Sequence, residues 1–482
     1  MDKAVEIKRQ PVAVVIGGGI TGLVAAYELL KACPYMQIRI IEKDKRPGGV
    51  INSLHQNDAL LECGPESFST LKPELVDLAK DLNIENRIIA CNSNSRRSFV
   101  SLEHKLHALP DGMMFFAPSN LYSFAFSDLF SLTGKLRISC DMLLPAKSDT
   151  ADESLASFVS RRLGAEALSK LAEPMIAGIY GGDPELLSAD STVPQLVAME
   201  RKYGSIIRGL MQLQDSNRAA GASGPRYDSL ASFDDGLSVL VSAILKRLPD
   251  NCILNQRSAT HIRRGSDRRW VVLCNDNSIF NADYLILAAP AQSCANLLSE
   301  VNPVLAERLR HIPRSPAIIL NLLYERRQIK HALDGFGFVV PNKEGMLVSA
   351  CSFSSVKFPG RSRPERVLLR VFTGGAQKAL AMLMDDEDLV EQSHLELKQI
   401  LGIEGLPVCQ HVSRHEQAIP QYMVGHKELV DSIQNVLAES YGIALAGNSY
   451  TGVGLPDCIR SARTAAEKIA LIEQTNLQTM VS

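Results

Sequence analysis

Long apolar runs are missing from these 482 residues. The nearest approach to a membrane span, Gly112 to Ser127, is too short and is broken by Pro118, Ser119 and Asn120. An excess of charge is missing too. Lys and Arg number 51 against 53 Asp and Glu, a net charge of −2 that gives no sign of a nucleic-acid partner. An anionic substrate would therefore need a local basic patch. The ten cysteines (33, 63, 91, 140, 252, 274, 294, 351, 409 and 458) contain no CxxC pair. Zinc knuckles and redox dithiols are thereby disfavoured, and the cysteines read as reduced, small buried hydrophobes.

Several catalytic signatures are absent as well. There is no HExxH, and His411 and His415 lie in a pattern that ends at Ile419-Pro420 and reads as extended rather than helical. That spacing holds them apart, so no metal is expected. His104 and His107 flank a hairpin and read as surface residues. Without GxSxG or a P-loop, acyl and phosphoryl transfer have no support. Met1 to Pro11 lacks the apolar region of a signal peptide and leads straight into a strand, so the expected location is cytoplasmic. What remains is 46% hydrophobic and 22% charged, a globular composition with enough chain for two or three lobes.

The informative segment comes first. Val12-Ala-Val-Val-Ile16 is a buried-strand pattern that runs into Gly17-Gly-Gly-Ile-Thr-Gly22. Ile20, Leu23, Val24, Tyr27 and Leu30 then follow at helical spacing, and a second strand, Ile38 to Ile41, ends at Glu42. Gly17 permits the tight turn, Gly19 lets the backbone approach a pyrophosphate, and Gly22 lets helix and strand pack closely. Unpaired N–H groups at the helix start face the phosphates, and Glu42 can accept from a ribose diol. Arg46-Pro-Gly-Gly49 follows. Near the end of the chain, Ile443-Ala-Leu-Ala-Gly447 reads as a strand, then Asn448 to Leu455 as a loop, then Pro456 towards Ile472 as a helix. No second GxGxxG is present for a pyridine nucleotide, which favours non-covalent FAD over NAD.

The intervening chain reads as Rossmann-type α/β with α+β lobes inserted. Residues 1–70, 225–300 and 421–482 form the nucleotide domain, and 71–110 and 301–420 a mixed-sheet substrate domain. Residues 111–215 form a helical lobe whose Met113, Met114, Phe115, Phe116, Tyr122, Phe124, Phe126 and Phe130 suit either a packed helical core or else an apolar mouth for a large hydrophobic substrate or a membrane-surface contact. Residues 73–83 read as helix, Phe99 to Leu109 as a hairpin, and 204–230 as a mobile loop.

Four stretches go beyond the generic fingerprint: Leu61-Glu-Cys-Gly-Pro-Glu-Ser-Phe68, Glu173 to Asp183, Ile419 to His426 and Gly452 to Ile459. Together they resemble the Gram-positive type of protoporphyrinogen/coproporphyrinogen oxidase, within the monoamine-oxidase-like flavoproteins. The resemblance implies an FAD domain, a substrate domain and a helical lobe often called membrane-binding. It also implies six-electron oxidation of a porphyrinogen by oxygen with release of peroxide, no dedicated catalytic side chain, and a ferrochelatase-type enzyme downstream. Coproporphyrinogen III is the favoured substrate and protoporphyrinogen IX the alternative. An amine oxidase or desaturase, and a non-enzymatic FAD scaffold, are the rivals from further afield.

Carried over by resemblance, Gly17, Gly18, Gly19, Ile20, Thr21, Gly22, Glu42, Lys43 and Gly49 hold the cofactor's nucleotide end. Gly64, Pro65, Glu66 and Ser67 pass beside the flavin. Ala259 meets the adenine through its backbone, and Gly447, Val453, Gly454 and Leu455 close the site. Gly178 and Ile179 lie against the macrocycle, and Lys72 holds a propionate. His415 stands where relatives carry a tryptophan beside the flavin; the single tryptophan is Trp270.

Overall fold

The computed structural model describes residues 9–92, 97–219, 230–374 and 380–481. At its centre, β1 (Val12–Ile16) lies between two parallel neighbours, β2 (Gln37–Ile41) and the strand Tyr284–Leu287. Ile253–Leu254 and Ile443–Leu445 complete this five-stranded parallel sheet at its two edges. Helices cover both faces, which is why β1 carries four fully buried residues in a row instead of an alternating pattern. On one face, helix α1 (Ile20–Ala32) packs along the closing helix Leu455–Val481, with Leu23, Val24, Ile459, Ala462 and Ala466 in one core. The chain runs from β1 outward to β2 and returns on the other side of β1. The crevice at the carboxyl ends of β1 and Tyr284–Leu287 is therefore a topological switch point, where open α/β sheets bind ligands.

A second, seven-stranded sheet runs in the order 409–420, 314–325, 366–373, 350–353, 335–339, 97–102, 105–108. All its pairs are antiparallel except 335–339 with 97–102. The hairpin expected at 99–109 forms its outer edge, so the chain supplies this sheet from two distant segments. The helix α2 (Glu74–Asp81) behaves differently from the expected division at residue 70. Its Leu75, Leu78 and Ala79 pack into the core of the nucleotide sheet.

Between residues 121 and 219 the chain is largely helical, as expected, but Met113–Met114 and Ala117–Pro118 pair as a short ribbon before it. The loop expected at 204–230 is corrected for most of its length. Ile206–Ala219 is a helix whose Ile206, Ile207 and Leu210 enter the helical core, while 220–229 lie outside the described residues. This amphipathic spacing is diluted by Gly204, Gly209 and the polar run after Leu213, so it is weak in the sequence. Phe116, Phe124 and Phe130 are buried, while Tyr122 and Phe126 are exposed. Nine of the ten cysteines are buried, and Cys140 is the exposed one. Among the described residues no helix is long and apolar enough to cross a membrane.

Candidate functional site

The turn after β1 is built by two glycines that admit no side chain. Gly17 has φ +108°, and a Cβ there would lie 2.6 Å from the Ala288 carbonyl oxygen. At Gly22 a Cβ would fall 1.9 Å from the Gly17 oxygen. Gly19, which caps α1 at an ordinary φ of −69°, is different: a Cβ there meets nothing within 4 Å. Neither backbone conformation nor protein packing requires glycine at that position, whereas a pyrophosphate drawn against the helix N-terminus does. Glu42 is buried and its carboxylate accepts from the N–H of Gly18 at 2.6 Å and of Asp44 at 2.8 Å. It thereby fixes the glycine turn and the segment after β2 at once. Gly48 donates to the Gly18 carbonyl at 2.8 Å, which brings Gly49 against Gly19. Ile20 and Thr21 are buried under the turn, and Lys43 is exposed. Ala259 opens a separate three-stranded sheet, two residues after Arg257, whose N–H donates to the Glu42 carbonyl. That places it on the same side as Glu42.

Residues Glu62 to Ser67 cross from the nucleotide domain onto the face of the large sheet, and buried charges hold them there. Arg370 donates to the carbonyls of Glu62 and Gly64, and Asn321 to that of Glu62. A Cβ on Gly64 would lie 1.8 Å from the Val50 oxygen, so two backbones touch here. Glu66 is fully enclosed and bonded by Ser354 and Lys357. Burial drives its pKa up, but Lys357, Arg370, Ser354 and Arg361 more than reverse this and leave it at about 2. Glu62, with fewer cationic neighbours close by, is pushed up by burial to about 7. Pro65 and Ser67 stay half-buried, and Ser67 receives a bond from Lys357 at 3.4 Å.

His411 and His415 do lie on an extended strand, and they reach the same residue from its two ends. The His411 ring is 3.4 Å from the Cys63 sulfur, and the His415 Nε2 donates to the Cys63 carbonyl at 2.7 Å. His415 thus steadies the backbone immediately before Gly64. Among the described residues no group of histidines, cysteines and carboxylates could hold a metal ion.

The C-terminal loop is held from outside. Tyr422 donates to the Asn448 carbonyl at 2.6 Å and accepts from the Gly452 N–H at 2.8 Å, and His426 bonds the Tyr450 carbonyl. Gly447 takes φ +130°, and a Cβ there meets nothing within 4 Å. Val453 and Gly454 are half-buried ahead of buried Leu455, the first residue of the closing helix. The helix Glu173–Tyr180 ends beside them through the Tyr180–Tyr422 ring contact. On it, Gly178 and Ile179 are exposed, and Gly178 too has nothing within 4 Å of a notional Cβ. Lys72 is brought to this end of the molecule and paired with Asp457.

The residues therefore fit a dinucleotide cofactor: Gly19 and Gly447 leave their Cβ directions open, and the groups around them are fixed by the protein. Sequence reasoning missed Arg370, Arg361, Tyr422 and Asp457 as the residues that do the fixing. A charge in the apolar strand Arg366-Val-Leu-Leu-Arg-Val-Phe-Thr373 was the legible sign of the first. Asp457 lay inside a stretch already singled out.

Comparison with known proteins agrees with this geometry. The family model described as flavin containing amine oxidoreductase matches residues 20–470. The chain is 31% identical to a coproporphyrinogen III oxidase of Bacillus subtilis, over 94% of this chain and 96% of that one. It is 29% identical to a Staphylococcus aureus protein of the same name, over 94% and 98%. A crystal structure assigned as a protoporphyrinogen oxidase from Exiguobacterium superposes with a TM-score of 0.85 at 29% identity, covering 96% of this chain and 99% of that one. The chain belongs to the flavin-containing amine oxidoreductase family and is an FAD-dependent oxidoreductase.

Proposed function

We propose that the protein oxidises coproporphyrinogen III to coproporphyrin III. Six electrons and six protons leave the macrocycle in three steps, and three molecules of oxygen take them up as hydrogen peroxide. The observation that carries this reading is end-to-end similarity to relatives named for that activity, over 94% of the chain. Bound FAD supplies the hydride acceptor for a methylene carbon of the porphyrinogen, and aromatisation of the ring supplies the driving force.

The chain's own residues bind and orient. Gly178 and Ile179 offer an exposed apolar surface for the macrocycle, and Lys72 offers a cation to a propionate while Asp457 holds it from behind. Gly17 to Gly22 with Glu42 seat the dinucleotide, and Gly64 to Ser67 with Gly447 to Leu455 flank the flavin. In this reading the nucleotide, substrate and helical segments act as three lobes around one site.

Oxidation of protoporphyrinogen IX is the second reading, favoured by the name of the Exiguobacterium neighbour. Purified yellow protein in air, offered each porphyrinogen separately and followed by porphyrin fluorescence above autoxidation, decides between them. Faster turnover of the tetracarboxylate supports the first, and faster turnover of the dicarboxylate supports the second. No rate above the blank retires both.

The helical lobe exposes Tyr122, Phe126, Leu132, Leu136 and Leu143, which supports peripheral contact with the inner face of the cell membrane. Co-sedimentation with anionic vesicles, lost in a Tyr122→Ser/Phe126→Ser variant, tests it. Direct transfer of the poorly soluble product to a ferrochelatase-type enzyme would suit the same location.

A further inference from the structure

Arg314 opens the long strand Arg314–Glu325, and its guanidinium bridges two segments that approach the cofactor crevice. Nε donates to the Gln417 carbonyl at 2.9 Å and one terminal nitrogen to the Ala418 carbonyl at 2.7 Å. The other terminal nitrogen lies 3.2 Å from the Asn448 Oδ1 and 3.3 Å from the Ser449 Oγ. These four acceptors are all neutral. Among the described residues no carboxylate pairs with Arg314. The fully buried Arg162, by contrast, lies 2.5 Å from the Asp141 carboxylate, and Arg361 and Arg370 lie in the field of Glu62 and Glu66.

The titratable groups that do surround Arg314 carry no charge at neutral pH. Burial holds the Tyr422 and Tyr450 hydroxyls far above their ordinary range, and pushes the Cys294 and Cys458 thiols to about 12 and about 11. Arg314 is half-buried and burial lowers its pKa, so a cation partly withdrawn from water with no carboxylate beside it gains from an anion brought nearby. Asn448 and Ser449 directly follow Gly447, whose Cβ direction is open, and the strand before them adjoins Tyr284–Leu287 at the switch point. FAD brings two phosphate charges to this crevice, and its reduction adds electron density to the flavin.

We propose that Arg314 is a positioning residue that supplies positive charge to the FAD site through the Asn448–Ser449 loop and so favours the reduced cofactor. The proposal rests on the FAD assignment and goes beyond it, since no part of the fingerprint requires an arginine at the head of this strand.

The test uses the holoenzyme with Arg314→Met, which removes the charge at similar volume, and Arg314→Lys, which keeps it. FAD content per chain and the reduction potential of the bound cofactor are measured separately. Arg314→Met is expected to move the oxidised–reduced equilibrium about tenfold towards the oxidised form, roughly 30 mV for a two-electron couple, with Arg314→Lys close to the parent. If Arg314→Met fails to retain FAD, Arg314→Gln carries the same comparison. An unchanged potential in the neutral variants, or an equal shift in Arg314→Lys, overturns the role of the charge. A parent protein that binds no FAD overturns the cofactor assignment instead.

Discussion

The ammonium of Lys72 lies 2.7 Å from both carboxylate oxygens of Asp457, a residue 385 positions away. Asp457 is almost fully buried, with its side chain 5% exposed, while that of Lys72 is 43% exposed. The same carboxylate takes a bond from Arg460, which reaches on to Glu74, and it fills the space beneath Gly452, where a Cβ would lie 2.4 Å from its carboxyl carbon. One acid thus anchors both the cation proposed to hold a propionate and the loop proposed to flank the flavin.

Lys72→Ala removes the outer cation and leaves Asp457 paired with Arg460. FAD should stay bound, and KM for coproporphyrinogen should rise about tenfold, the scale of one charge-assisted hydrogen bond of roughly 1.5 kcal/mol. Steady-state kinetics with a parallel flavin spectrum measures both, and an unchanged KM would retire the propionate role.

Gly19→Val and Gly22→Val should fail in different ways. The first places its side chain where the protein has no atoms, so the chain folds but loses FAD. The second drives a Cβ into the Gly17 carbonyl, so the fold itself fails. Flavin absorbance combined with circular dichroism separates the two outcomes, and a normal flavin spectrum in Gly19→Val would contradict the pyrophosphate reading.

Gly178→Ala should make the protein more stable and less active. Alanine is favoured over glycine inside a helix by about 1 kcal/mol, and the added methyl meets no protein atom within 4 Å. Tm should rise slightly while KM for the macrocycle increases. A rise in Tm with unchanged KM would remove Gly178 from the substrate wall.

Glu62 gives the protein a pH dependence that Glu62→Gln should remove. Its folded pKa of about 7 exceeds the ordinary 4.5, so between those values the folded state holds a proton that the unfolded state has lost. The stabilisation this provides is complete below about 4.5 and disappears as pH rises through about 7, an effect on the order of 1–3 kcal/mol. Glu66 acts in the opposite sense and in a different window, losing its contribution as pH falls from about 4.5 towards about 2. Urea midpoints at pH 5 and pH 8 should therefore differ less in Glu62→Gln than in the parent. An identical difference in the two proteins would show that Glu62 does not titrate in this range.

The amino-acid sequence by itself determined the nucleotide half of the site. A βαβ unit is a local object: strand, glycine turn, helix and acid follow one another within about 30 residues, and each step has its own residue requirement. Gly17, Gly22 and Glu42 could be assigned from that order alone, and so could the closing strand and helix after Ile443. What only the tertiary structure decided is which distant groups hold the flanking segments in place. Arg370 reaches Gly64 across 306 residues, His415 reaches Cys63 across 352, and Arg314 reaches Ser449 across 135. No periodicity links such residues, because their meeting is set by the register of Arg314–Glu325 between its two neighbouring strands. Shifting that register by one residue would turn Asn321 away from Glu62 and carry the other side chains of Arg314–Glu325 to the opposite face of the sheet.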